Sequence, residues 1–372
     1  MHIPNIIHTF APTKSKKHIK KNKGMNTQRE AKQIAWQNFG TDVSNAASIE
    51  EAIEMAQLNY KVETEPIIRV PQEIVDAILN NEQVDFTPTK EMIINSHKAT
   101  FRTDFGNNFG VVGKDYGVVQ NNKAFDFINF IKEVSGEQPK LETAGSLGFG
   151  ERMFVTCRLG ADSYLNGDSD AIRNYVVFCN NHDGKGAVMA FFSPIRVICQ
   201  NTLNMAIKQC PNKIVFKHTK HVNVRMDWEI EENRKKALEV FSKSVQFSKA
   251  FMDNMLNLKQ QKLDAEQIRD LTAKMYLSPK LFTLFSENNF NLEGIDEITT
   301  RTKNQIQQLR DSIDFGVGQD QHRGTKLWML NGITTMLHND KNWKSAQDEF
   351  NSIMEGDAAK KVQKMYDLLL AA

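Results

Sequence analysis

A chain of 372 residues, 40% hydrophobic and 25% charged, is long enough for two or three domains and apolar enough to bury a sizeable core. No window reaches the about 18 uninterrupted apolar residues of a membrane-spanning helix, and four cysteines, Cys157, Cys179, Cys199 and Cys210, are too few to staple so large a chain, so a reduced, cytoplasmic location is expected. The net charge of +2 hides a segregation: residues 1–24 carry six lysines and no acid, residues 184–226 carry Lys185, Arg196, Lys208, Lys213, Lys217, Lys220 and Arg225 and no acid, and the remainder is left at −11. Such a division suits a polyanion-binding surface, and equally a basic stretch that folds against acidic helices.

Residues 1–24 lack periodicity and read as a disordered basic tail or an upstream extension, with Met25 as a candidate start. Their apolar opening precedes the basic cluster instead of following it, which argues against a secretory signal. Ser48-Ile49-Glu50-Glu51 is a capping box that opens a short helix, 60–70 is strand-like, and Pro71 opens a second helix through Ile74, Ile78 and Leu79. After strand-like 92–102, Gly106, Gly110, Gly113 and Gly117 mark turns between short strands, and Asn121 or Asn122 caps a helix bearing Phe125, Ile128, Phe130 and Ile131.

The centre of the chain predicts strands at 141–147, 152–159 and 174–180, then the turn Asn181-His182-Asp183-Gly184 and a further strand at 187–192. In the second of these, Met153, Val155, Cys157 and Leu159 alternate with Arg152, Thr156 and Arg158, giving one apolar face and one partly cationic face. Ser193-Pro194 offers a capping hydroxyl and a proline at the first helical position, which predicts a helix through about Lys208. On that helix Arg196, Gln200, Asn204 and Lys208 recur every four residues as one polar stripe, and with Lys213, Lys217 and Lys220 they offer hydrogen bonds to phosphates and base edges. The bland reading of the stripe is the solvent face of an amphipathic helix. From Asp227 onward the periodicity is helical, with one long element carrying Leu238, Phe241, Met252 and Leu256, another opened by Ser278-Pro279, and later segments at 295–312, 325–338 and 342–371.

The expected fold class is therefore α+β: a central antiparallel-type β-sheet domain with packed helices over 25–226, then a mostly helical C-terminal domain over 227–372. No catalytic set stands out. The run Ala144-Gly145-Ser146-Leu147-Gly148-Phe149-Gly150 lacks the Gly-Lys-Ser/Thr of a phosphate loop and leads into a strand. Cys179 with His182, and His218 with His221, could each give two metal ligands, but the second pair sits in a lysine-rich stretch that repels a dication. No catalytic residue, metal or cofactor is expected.

Several blocks resemble a large phage- and plasmid-encoded family of uncharacterised proteins. They are Ala144-Gly145-Ser146-Leu147-Gly148 with Gly150, Asn181-His182-Asp183-Gly184, Pro194-Ile195-Arg196-Val197-Ile198-Cys199-Gln200-Asn201-Thr202-Leu203 and His218-Thr219, with weaker matches at Arg102-Thr103-Asp104, Gly113, Tyr116-Gly117-Val118-Val119-Gln120-Asn121, Thr325-Lys326-Leu327-Trp328, Asn331-Gly332 and Thr334. The Arg-Val-Ile-Cys-Gln-Asn-Thr-Leu block is the specific part, and the resemblance implies a mobile-element origin without an activity to carry over. The element order, three strands and a helix with cationic strand faces, is also similar to the core of single-strand annealing proteins of phage recombination.

The leading expectation is a non-enzymatic protein that binds nucleic acid, single-stranded DNA above all, through Arg152, Arg158, Arg196, Gln200, Asn204, Lys208, Lys213, Lys217 and Lys220, with no membrane partner. Two alternatives stand beside it: an interaction or host-takeover protein that docks a protein partner on its C-terminal helices, and an enzyme site around Arg196, Gln200 and Asn201 that would draw in His182; a homo-oligomer is a further partner the sequence allows.

Overall fold

The computed structural model describes residues 39–135, 139–165, 171–196, 201–202, 213–316, 319–354 and 356–372. The first described helix, α1 (Ile49–Met55), starts as its sequence dictates: Ser48 Oγ accepts the Glu51 N–H at 3.2 Å. The Glu51 carboxylate reaches back one residue further than a reciprocal box requires and accepts from the Ala47 N–H at 2.6 Å. A small antiparallel sheet follows, in the order β2 (Val62–Ile68), β3 (Ile93–Arg102) and β4 (Asn108–Gly113), with α2 (Gln72–Leu79) between its first two strands.

The larger sheet, seven-stranded among the described residues, is antiparallel throughout. Its order is β1 (Thr41–Asp42), β5 (Lys140–Leu147), β6 (Arg152–Tyr164), β7 (Ala171–Asn181), β8 (Val188–Arg196) and β10 (Lys213–Phe216), with β9 (Asn201–Thr202) also paired to β8. Both faces are covered, which is why the central strands read as near-continuous apolar runs. On one face Met153, Val155, Cys157, Val176, Phe178 and Ala190 form a core with α3 (Lys123–Ser135), whose Phe127 ring lies 6.0 Å from that of Phe178. On the other face Phe154, Tyr175, Val177, Cys179 and Phe191 pack with Phe39 and with Phe350 of a C-terminal helix.

The chain after β10 is helical: α4 (Val222–Arg225), α5 (Glu231–Gln260), α6 (Ala265–Lys274), α7 (Pro279–Glu287), α8 (Thr300–Phe315), α9 (Lys326–Thr335), α10 (Ala346–Met354) and α11 (Asp357–Ala371). Ser278 caps α7 and Pro279 occupies its first turn, as the sequence predicts. Every residue of α9 is buried, so this helix carries no amphipathic stripe; α5, α8 and α11 pack around it. Gly332 makes the closest approach workable, because a Cβ there would overlap Ile313 Cγ1 and lie 2.9 Å from Ile313 Cα on α8. Among the described residues no helix is long and apolar enough to cross a membrane. The molecule is α+β, with antiparallel sheets, packed helices and a helical C-terminal region.

One expectation is overturned. Ser193-Pro194 does not start a helix; both residues lie within β8, opposite Tyr175 and Asn174, and the strand runs on to pair Arg196 with Ile172. A serine and a proline can serve a helix start only where the backbone turns, and here the ladder to β7 keeps it extended. Proline's φ suits a strand, and its missing N–H falls between 188–191, which pairs with β10, and 195–196, which pairs with β9. Arg196 is therefore a strand residue, and its four-residue spacing does not put it on a helical stripe with Gln200, Asn204 and Lys208. Those three positions lie outside the described residues.

Candidate functional site

Strand parity and register build a depression on the Phe350 side of the larger sheet. In β10, Ile214 and Phe216 turn to the α3 core while Lys213 and Val215 are exposed on the opposite face. Val215 pairs with Met189, Met189 with Cys179, and Cys179 with Phe154, so these four side chains form one row across four strands. With Phe350 and Leu147 they make the apolar lining of a cavity of about 560 Å³ between the sheet and α10. Phe350 is held by Phe154 and Phe39, with ring centroids 5.6 and 5.7 Å away.

The rim is polar and cationic. Arg152, Lys185 and Lys213 reach it from β6, from the turn after β7 and from β10, beside Asn181 and Asn351. Arg152 is positioned by two elements: its guanidinium donates to Asn351 Oδ1 on α10 and to Asp183 Oδ2 at 3.5 Å. The other Asp183 oxygen accepts the Lys185 N–H at 2.9 Å, so one carboxylate fixes both the arginine and the turn that carries the lysine. Lys185 and Lys213 are exposed, and among the described residues neither forms an ion pair. Lys217, just past β10, keeps the parity of Lys213 and Val215, and Lys220 is exposed beyond it.

The sequence candidates thus divide. Arg152 and Lys213 come together, with Lys217 and Lys220 nearby in the chain. Arg158 lies on the same face of β6 but about 20 Å further along, where its guanidinium binds Asp162 at 2.6 Å. Arg173 joins that network at 3.1 Å from Asp162 and 4.0 Å from Glu142, and Tyr175 donates to Glu142 at 2.6 Å, so the local charge is balanced. Arg196 is on β8 about 23 Å from Met189, away from the depression. Lys185, Asn181, Phe350 and Asn351 were missed as site residues. Lys185 sits inside the acid-free run and had that one signal; Phe350 and Asn351 come from a distant helix and had none.

Beneath the rim, the blocks that carry the family resemblance converge. His182 is fully buried, its Nε2–H donating to Asn121 Oδ1 at 2.9 Å and its ring stacked on Phe109 at 5.9 Å. Its backbone N–H donates to Glu151 O at 2.6 Å and its carbonyl accepts from Thr100 Oγ1 at 2.7 Å. Gly110 lets β4 pass this turn, since a Cβ there would lie 2.6 Å from the Asp183 carbonyl oxygen. Tyr116 stacks on His218 at 4.5 Å and donates to Asn181 O at 2.9 Å, while His218 Nδ1–H donates to Gly117 O at 2.9 Å.

Burial, aided by nearby His218, pushes the His182 imidazole down to about 3. Burial likewise lowers His218, against the opposing effects of the Gly117 carbonyl and Asp183. The His182 imidazole is sealed in the interior and turned to Asn121. Of the candidate metal ligands, Cys179 lines the depression while His182 turns to Asn121, and His218 Nδ1 is engaged by the Gly117 carbonyl. The convergence works as a scaffold that holds residues 181–185, and so the cationic rim, in place.

The fold and site together define an α+β protein whose two-sided antiparallel sheet carries a cation-rimmed depression under a C-terminal helix. Residues 108–359 match the family model described as Domain of unknown function (DUF932), and the chain belongs to that family. The matched span contains every residue that lines the depression. No curated protein and no solved structure matches the chain.

Proposed function

We propose that this protein binds nucleic acid, single-stranded DNA in preference to duplex, along the rim formed by Arg152, Lys185 and Lys213 and extended by Lys217 and Lys220. The observation that carries the reading is the meeting of three cations from three separate elements around one apolar depression, two of them, Lys185 and Lys213, from a run that has no acid between 184 and 226. Asp183, the carboxylate beside them, is engaged by Arg152 and by the Lys185 N–H. Phosphates would sit on the ammonium groups, and the apolar lining favours a strand whose bases are not already hidden in a duplex stack.

The resemblance carried by Pro194-Ile195-Arg196 and the residues after it supports a setting in a phage- or plasmid-derived system, in DNA recombination, replication or element maintenance. The test is retention of a fluorescent single-stranded oligonucleotide by the full chain at about 50 mM salt, a condition that favours phosphate contacts. Retention that exceeds that of the matching duplex supports the reading. Absence of retention overturns it.

A further inference from the structure

The depression has more than a phosphate-binding rim. Its volume of about 560 Å³ falls within the range of sites that enclose small ligands. Its floor, the row Phe154, Cys179, Met189 and Val215, carries no charge, and Phe350 closes one side. Gly186, Ala187 and Gly356 keep the mouth open, since none of them projects beyond a methyl group. Two amides stand at the edge. Asn351 Oδ1 is taken by Arg152, which leaves its N–H donors, and Asn181 Nδ2 donates to Ala187 O at 3.3 Å, which leaves its carbonyl oxygen.

An apolar floor, a donor and an acceptor at the edge and ammonium groups at the lip match one ligand chemistry: a flat heteroaromatic ring with hydrogen-bonding edges, joined to phosphate. A bare phosphate would leave the floor unused, and a purely apolar ligand would leave three cations and two amides unused. We infer that the depression receives one base of the bound strand, its faces against Met189, Val215 and Phe350 and its edge toward Asn181 and Asn351, while the flanking phosphates lie on Lys185 and Lys213. This inference rests on the nucleic-acid reading of the same site.

The experiment is an anisotropy titration of the full chain with a short poly-thymidine oligonucleotide and with an abasic strand of equal length. It is run on the wild type and on Ala187→Trp, which fills the mouth. Because Ala187→Trp could disturb β8, Val215→Trp provides a second plug from an exposed position on the edge strand. The wild type should bind the base-bearing strand about tenfold tighter than the abasic one, the scale of one stacked base. Both plugged variants should lose that preference, the affinity for the base-bearing strand falling to that for the abasic one. Equal binding of the two strands by the wild type, or a preference that survives in a plugged variant with an unchanged melting temperature, would overturn the inference. Free thymidine monophosphate offers the same ring and phosphate without a strand, and displacement of the oligonucleotide by an equal concentration of it would overturn the assignment to a strand-borne base. Failure to bind either strand at low salt is a different outcome and removes the underlying reading itself.

Discussion

Arg152 serves the fold and the proposed ligand site at once, and its neighbours allow the two roles to be separated. Its side chain is 19% exposed and its guanidinium faces an Asp183 side chain that is 5% exposed, so Arg152→Ala leaves a buried carboxylate without its cation. A loss of about 2 kcal/mol is expected in denaturant unfolding. Lys185→Gln and Lys213→Gln remove exposed charges and should shift stability by no more than about 0.5 kcal/mol. Loss of binding in the lysine variants therefore reports the site, whereas loss in Arg152→Ala mixes site and fold. His182 gives a second prediction at this scale. Its folded-state pKa is pushed down to about 3, so the unfolded chain takes up a proton that the native chain refuses. The stability this neutral imidazole supports is complete above the ordinary histidine range near 6.5 and is lost as pH falls from there toward 3, by at most about 1.4 kcal/mol per pH unit. Circular dichroism melts across that window should show the decline, and His182→Gln should flatten it.

The elements were legible wherever one local pattern decided them. The alternation of Met153, Val155 and Cys157 with Arg152, Thr156 and Arg158 fixed the two faces of β6, and Ser278-Pro279 fixed the start of α7. Ser193-Pro194 misled because its helix-start chemistry is local while the ladder from Tyr175 and Asn174 that overrides it is not. The helix α9 shows the opposite case: buried on all sides, it gives no stripe from which its packing could be read. Gly332 on that helix offers a test in which two effects oppose each other. Helix propensity alone would make Gly332→Ala stabilising by about 1 kcal/mol, but the added methyl would overlap Ile313 on α8, and overpacking of a close-packed core costs about 1–3 kcal/mol. A lowered melting temperature is expected, and a raised one would mean that α8 and α9 are not packed so closely.

For the whole molecule, the segregation of charge was visible in the sequence but its meeting place was not. Lys185 and Lys213 are joined by the pairing of β8 with β10, Arg152 enters from β6, and Phe350 and Asn351 descend from α10. Those are long-range relations that no spacing rule encodes. Arg158, equally cationic in the sequence, is balanced by Asp162, an acid four residues along the same strand that the folded strand brings within 2.6 Å. In the proposed complex the unpaired rim cations hold phosphates. The most direct measurement of those contacts is the salt dependence of single-stranded DNA affinity for the wild type and for the Lys185→Gln, Lys213→Gln double variant. Four unpaired lysines, Lys185, Lys213, Lys217 and Lys220, each holding one phosphate of a single strand give a slope of log affinity against log salt of about −2.8, and removing two of them should reduce it to about −1.4. That result, with an unchanged melting temperature, is the expected one; a double variant that binds with the wild-type affinity and slope would contradict the account.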